Sequence, residues 1–434
     1  MAELLAAAGV DLAREAVAYE EELRSYFGAA AVYPLSSGRG AIALALRALG
    51  IGRGDDVAIP AFTCPAVADA VLSLGAIPHL VDISPRHFGL EPRSLRRVLA
   101  RGRTRAAVVA PLFGAVPPQD EVRELLAERG SPWVEDVAQA FGSSRGGRPA
   151  GSTAPLAVLS TNFDKPYTTG RGGVLVVNDA ALAPEIEKLV DSLTAQTSAE
   201  AETILKGLVV SDYLFDAESY EPFVSVDLGY LYAAAEGDAY DLANLVARGA
   251  TVAARHAAAA KGRLMPTRKP PLSRRLVRWF FPSSAVPPLG AVKQLEPLLA
   301  ALGKRHLAAT RGDGERRRKL AALFDDAFAG STSFRSPNWG AAGDEPWPMR
   351  YPLFVRDWAR RPEVIKRLTN AGYEAGPFIY PRPLSGMFPY YKLSRTTGRY
   401  LRGAWRAAAA VVNLPLHAGV DEDDVRKMAE AVRG

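Results

Sequence analysis

The strongest constraint on this chain is a rhythm. Six compact apolar runs, each closed off by Gly, Pro, Asp or Ser, are spaced through residues 56–179, with helix-length segments between several of them. They read "DVAIPAF", "IPHLVDI", "RAAVVAPLF", "PWVEDVAQ", "LAVLSTN" and "GGVLVVND". Runs of that length read as strands, and their alternation with helices predicts an α/β architecture with a mostly parallel sheet. A helix precedes the first run: "GRGAIALALRALG" (38–50) carries Ile42, Ala45, Leu46 and Leu49 on one face, and Gly50 stands where a C-terminal cap belongs. In such sheets ligands gather at the carboxyl ends of the strands, where "VED", "LSTN" and the residues after "AIP" emerge. Three separated segments are therefore expected to converge on one pocket.

Composition narrows what that pocket serves. At 434 residues, 48% hydrophobic and 23% charged, the chain can build one large globular body or two modest ones, which argues against disorder. Cys64 is the only cysteine, so no intramolecular disulfide is expected, and no charged-then-apolar leader opens the sequence, which points to the cytoplasm. No stretch approaches the roughly 18 uninterrupted apolar residues of a membrane span. A net charge of +6 is mild and does not choose among anionic ligands. No repeat, helix-turn-helix or zinc spacing supports nucleic-acid binding or a metal centre.

One short stretch, "STNFDKPYTTGRGG" (160–173), puts a single lysine, Lys165, between an apolar run and a glycine-rich turn. Taken singly, a lysine near a turn is usually solvated, Asp136 can cap a helix, and Ser37-Gly38 can merely start one. Together they fit a pyridoxal phosphate (PLP) enzyme. Such an enzyme needs a lysine for the aldehyde, a carboxylate for the pyridine nitrogen, and hydroxyl or amide donors for the phosphate.

The residues also resemble a known family, the DegT/DnrJ/EryC1/StrS sugar aminotransferases of fold-type I. The resemblance runs through "SSGRGAIALALRALGIGRGDDVAIPAFTCPAVADAVLSLGAIPHLVDIS", "VEDVAQAFGS" and "STNFDKPYTTGRGGVLVV", and returns in "YPRPL" and "VVNLPLHAGVDEDDVRKMAEAV". It implies that Lys165, five residues after the phosphate-binding Ser160, forms the Schiff base. It further implies that Asp136 partners the pyridinium nitrogen and that Gln139 lies near the ring hydroxyl. Ser37, Gly38 and Arg39 fall on the first phosphate loop, where the family commonly has Ser-Gly-Thr; the arginine can grip phosphate or face substrate. The ring-stacking aromatic of the family falls on Cys64, with Phe62 two residues earlier as the other candidate. Tyr380 and Arg382 of "YPRPL" are suggested to face substrate, and His417 of "LPLHAG" to serve packing.

The fold implied is a large PLP-binding domain over 1–290, with an atypical insertion at about 195–285, and a linking helix with a smaller α+β domain over 291–434. The insertion holds an alanine-rich helical pattern at 239–264, whose His256 has no second metal ligand at working spacing, so no metal is expected. It then runs through Lys261, Arg263, Arg268, Lys269, Arg274, Arg275 and Arg278 with no acidic residue between 261 and 282. If 272–281 is helical, Leu272, Leu276, Trp279 and Phe280 share a face opposite the arginines. That face suits a second subunit, with the arginines bordering the active site or solvated; peripheral contact of 261–282 with an anionic membrane is the less favoured reading. The family's cross-subunit phosphate loop has no clear counterpart, and Ser283-Ser284 with the clustered arginines is the nearest candidate. A homodimer with shared sites is implied.

The expected activity is transfer of an amino group from an amino acid, glutamate foremost, to a keto sugar, nucleotide-linked or free, or to a cyclitol. The alternatives are a relative that uses the same cofactor chemistry for dehydration or another elimination, against which Lys165 argues because the family's sugar dehydratases carry histidine there, and a non-catalytic PLP-fold binding or regulatory protein.

Overall fold

The computed structural model describes residues 10–162, 165–205, 292–310, 312–373, 382–387, 390–396 and 401–434. The chain divides into two compact units, 1–198 with 287–434, and 199–286. In the second only 199–205 are described, in helical conformation. The patterns at 239–264 and 272–281, with His256, Arg274, Arg275 and Arg278, lie outside the described residues, as do Ser283, Ser284 and Tyr380.

The first unit opens with α1 (Leu12–Phe27), β1 (Ala31–Leu35), α2 (Gly38–Ala48), β2 (Asp56–Pro60), α3 (Pro65–Ser73), β3 (Ile77–Val81), α4 (Pro92–Leu99), β4 (Thr104–Val109), α5 (Asp120–Glu128) and β5 (Trp133–Asp136). A hairpin of β6 (Ser144–Arg145) and β7 (Arg148–Pro149) leads to β8 (Leu156–Ser160), β9 (Gly173–Val177) and α6 (Ala183–Asp191). After the second unit come α7 (Pro297–Thr310), α8 (Asp313–Phe328), β10 (Phe334–Arg335), β11 (Arg350–Val355), α9 (Arg361–Asn370), α10 (Tyr390–Leu393), β12 (Arg395–Thr396), α11 (Arg402–Ala410), β13 (Val411–Pro415) and α12 (Glu422–Arg433).

Local chemistry sets many of these boundaries. Asp11 caps α1 by accepting the Arg14 N–H, and the helix ends on Gly28 in the left-handed region. Prolines occupy the first turns of α3 and α4, where a missing N–H costs nothing. Asp421 and Asp424 close a capping box at the start of α12.

Eight strands form the main sheet in the order β1-β9-β8-β5-β4-β2-β3-β12. Pairings run parallel from β8 through β12, while β9 is antiparallel to both β8 and β1. The predicted mostly parallel sheet with flanking helices is therefore observed. A smaller antiparallel sheet, β10-β11-β13, shares its core with α8, α9 and α12. β12 and the buried Leu384, Met387 and Tyr390, by contrast, belong to the main sheet and its core.

One expectation fails in detail. α2 is not amphipathic: every residue from Gly40 to Leu46 is buried, because the helix lies on β8 and β9 and is covered by α3 and α6. The small alanines between the larger side chains permit that all-round packing.

Candidate active site

The carboxyl ends of β2, β4, β5 and β8 lie along one edge, since these strands are parallel and nearly in register. β5 delivers two adjacent acids there, and strand geometry turns them to opposite faces. Glu135, 3% exposed, accepts from Gln119 Nε2 at 3.2 Å and from the Gly151 N–H at 3.0 Å, so it is tied into the scaffold. Asp136, 7% exposed, accepts the Ala138 N–H at 3.1 Å and feels the Lys165 ammonium. Burial pushes its carboxyl up to about 6, against the pull of that N–H and of Lys165. Lys165 and Asp136, 29 residues apart in the chain, are thus electrostatic partners. Burial raises both carboxyls, but Glu135 is tied to scaffold groups while Asp136 is the one that feels Lys165, a distinction "VED" does not carry.

Lys165 sits in a loop between β8 and β9 that is bonded to itself. Its N–H reaches Asn162 O at 3.0 Å, Thr169 N–H reaches Thr161 O, and Thr161 N–H reaches Gly172 O. The buried hydroxyls of Thr161 and Thr169 meet at 2.8 Å, and Thr168 Oγ1 accepts the Gly170 N–H at 2.7 Å.

Ser37, Gly38 and Ser160 are brought together. Ser37 caps α2 by accepting the Gly40 N–H at 3.1 Å. A Cβ added to Gly38 would lie 3.1 Å from Cβ of Ser160, and one added to Gly173 would lie 2.4 Å from the Gly38 nitrogen. Glycine at 173 therefore lets β9 pass directly beneath the first turn of α2, whose N–H groups and dipole favour an anion.

Arg39 lies in that first turn, and its guanidinium is 3.6 Å from the Asp69 carboxylate on α3. Asp69 also accepts the Tyr390 hydroxyl at 2.7 Å. Cys64, half-buried, stands at the N-terminus of α3, whereas Phe62 is buried against Phe88 with ring centroids 6.4 Å apart. Gln139 Oε1 accepts the Phe113 N–H at 3.0 Å. Phe113 holds φ at +61°, a strained value for an aromatic residue, which fixes where that N–H points. Arg382 is exposed beside the docked Pro383 and Leu384. His417 is exposed and its Nδ1 accepts the Gly419 N–H, a turn contact in place of the expected packing.

Sequence reasoning missed Asp69, Tyr390, Tyr167 and the threonine pair. The visible signal for Asp69 was a lone acid inside the otherwise apolar "PAVADAVLS"; the others gave no signal beyond a polar letter in a loop.

The residues fit PLP. A buried carboxylate lacking full compensation accommodates a protonated ring nitrogen, a lysine faces it electrostatically, and two serines with a glycine-lined helix start suit a phosphate.

The chain matches the DegT/DnrJ/EryC1/StrS aminotransferase family over residues 2–204 and 273–433. Over 175 residues it is 37% identical to the L-glutamine:scyllo-inosose aminotransferase of Streptomyces griseus, covering 39% of this chain and 41% of that protein. Over 179 residues it is 34% identical to the UDP-2-acetamido-2-deoxy-3-oxo-D-glucuronate aminotransferase of Pseudomonas aeruginosa, covering 41% and 50%. The matched part thus spans about half or less of these curated relatives. The solved sugar aminotransferase CalS13 from Micromonospora echinospora superposes with a TM-score of 0.67 at 22% identity, covering 96% of this chain and 91% of that one. The PMP-form of the putative sugar aminotransferase Spr1654 from Streptococcus pneumoniae does so at 0.68 and 20%, covering 96% and 90%. At such identities these two likenesses establish the fold.

Proposed function

Because the chain belongs to the DegT/DnrJ/EryC1/StrS aminotransferase family, we propose that it is a PLP-dependent aminotransferase that moves an amino group from an amino acid to the keto group of a cyclitol or sugar. The observation that carries the reading is the buried Asp136 paired with Lys165 at the strand ends, above a serine and glycine cradle. Among relatives, inosose aminotransferases named for L-glutamine favour a cyclitol acceptor and place glutamine beside glutamate as donor.

PLP supplies an electron sink for the carbon that loses its proton. In this reading Lys165 Nζ would hold the cofactor's aldehyde group and would be the amine that moves a proton at the reacting carbon. Asp136 keeps the ring nitrogen cationic, and Ser37, Gly38, Ser160 and the N–H groups of α2 hold the phosphate, with Arg39 adding positive charge. Gln139 lies toward the ring hydroxyl and Cys64 beside the ring face. Residues 1–290 serve as the cofactor-binding domain and 291–434 as the linking helix and small domain; the separate core around the second sheet favours that division, while Leu384, Met387, Tyr390 and β12 pack with the main sheet. No helix among the described residues is long and apolar enough to cross a membrane, and a cytoplasmic homodimer is the working state of the proposal; sedimentation of the loaded protein as a monomer would remove the dimer.

The test is to incubate purified protein with PLP and with L-glutamine or L-glutamate, and to follow the absorbance. Conversion to the pyridoxamine form, reversed by a keto-cyclitol, is expected. Borohydride reduction and peptide mass analysis should place PLP on Lys165. A label on another lysine, or no conversion with either donor, overturns the reading.

A further inference from the structure

Beneath the lysine's loop lies a pair of hydroxyls with no part in the chemistry. Tyr19, on α1 and wholly buried, meets the hydroxyl of Tyr167 at 3.1 Å across 148 residues of chain. Tyr167 is 2% exposed and separated from Lys165 by Pro166 alone. Proline fixes its own φ and restricts the residue before it, so a shift of Tyr167 is passed to the Lys165 backbone with little loss. α7 closes the site from a third side. A Cβ on Gly303 would lie 2.6 Å from Cγ2 of Thr169 and 3.1 Å from Cζ of Tyr19, so the glycine lets the helix press on both. Burial raises the pKa of both phenols, which keeps both protonated and capable of bonding each other.

Filling space there would ask only for phenylalanine. Two phenols in an apolar setting are tolerated because one donates to the other, and removing one hydroxyl strands its partner. The two ends of the pair differ. Tyr19 stands on a sixteen-residue helix packed against α7, whereas Tyr167 stands on a loop, with its ring 4.9 Å from that of Phe141 and the Thr161–Thr169 pair among the loop's bonds. A stranded Tyr167 relieves itself by moving the loop.

We infer that Tyr19 is a positioning residue for Lys165: by partnering the Tyr167 hydroxyl it keeps that side chain, and through the stiff Pro166 the lysine's backbone, from shifting to find another partner. The consequence for catalysis rests on the reading of Lys165 as the PLP-bearing lysine; the positioning itself is a property of the cofactor-free chain.

The experiment uses the full chain as parent, Tyr19→Phe, Tyr167→Phe and the double variant. In cofactor-free protein, acetic anhydride labelling of Lys165 is measured by peptide mass analysis against the exposed Lys188 as internal reference. PLP affinity and the thermal midpoint are measured alongside. Tyr19→Phe is expected to change the relative labelling rate of Lys165 by about fivefold or more and to weaken PLP binding about tenfold, while the double variant returns both to within about twofold of the parent. Parent-like labelling in Tyr19→Phe with only a lowered midpoint means a purely structural pair and overturns the inference. So does a double variant whose losses are the sum of the singles. Should Tyr19→Phe fail to fold, the double variant must fold with parent-like Lys165 labelling; its failure also overturns the inference. PLP found on another lysine in the parent would sink the proposed function, yet the labelling series would still decide the positioning claim.

Discussion

Asp136 and Glu135 are chain neighbours with different surroundings, and the difference is what makes one of them usable. Glu135 receives two hydrogen bonds from the scaffold, whereas Asp136 relies on one backbone N–H and the field of Lys165. Asp136→Asn should keep covalent PLP on Lys165 but lose on the order of 10²–10³-fold in transamination, since a neutral amide cannot hold the ring nitrogen cationic. Single-turnover conversion by glutamine or glutamate measures it, and a loss of only a few-fold assigns the role elsewhere. The same variant carries a pH signature in cofactor-free protein. Burial raises the folded-state pKa of Asp136 from 3.8 to about 6, so the fold favours the neutral acid. That contribution is complete below the unfolded value and is lost as pH rises through about 6. Asp136→Asn should therefore be more stable than the parent at pH ~8, by up to about 3 kcal/mol, with the advantage shrinking as pH is lowered toward ~4. Denaturant midpoints across that window test it; a gap independent of pH would mean that folding does not raise the Asp136 pKa.

At the scale of elements, the anion site is a meeting of α2, β8 and β9. It depends on a glycine at 173 because the Ser37–Gly38 backbone at the start of α2 passes 2.4 to 2.6 Å from where a Cβ would stand. Gly173→Ala should push the first turn of α2 away from Ser160. We expect a stability loss of about 1–3 kcal/mol from overpacking and a larger loss of affinity for PLP than for pyridoxal, which lacks the phosphate. Equal losses for both ligands would show that the glycine serves only packing. The lysine's loop illustrates the opposite device. There hydroxyl pairs, not missing side chains, set the geometry, and both partners must be present for either to be tolerated.

Across the molecule, Trp347 joins the C-terminal part of the chain to the loops that hold the site. Its ring lies against Gly142 and Gly314, its backbone N–H donates to Ser143 Oγ at 2.9 Å, and the buried Arg317 stacks over the ring at 4.3 Å. Two residues on, the Met349 N–H bonds Phe113 O, and the Phe113 N–H in turn bonds Gln139. Trp347→Ala should cost about 3–5 kcal/mol, as other buried tryptophans do, and should also weaken PLP binding, because the Phe113–Gln139 bond loses its support. Calorimetry with and without PLP reads both effects. Full stability loss with unchanged PLP affinity would confine Trp347 to packing.

The sequence by itself determined the class of fold and the residues that could carry chemistry. Compact apolar runs closed by breakers are local signals, so the strands from 56 to 179 and the ends bearing Asp136 and Ser160 were legible, and the family resemblance singled out the lysine five residues beyond Ser160. What neighbours what was decided by tertiary structure, because contacts such as Tyr19 with Tyr167, Asp69 with Tyr390, or Gly173 with Gly38 join residues whose local patterns are independent. The all-round burial of α2 belongs there too: a helical period shows which residues share a face, but only the layers packed on both sides decide how many faces are covered. The choice between Glu135 and Asp136 is of the same kind, since charge is set by desolvation and partners, and both arise only when the chain has closed around them.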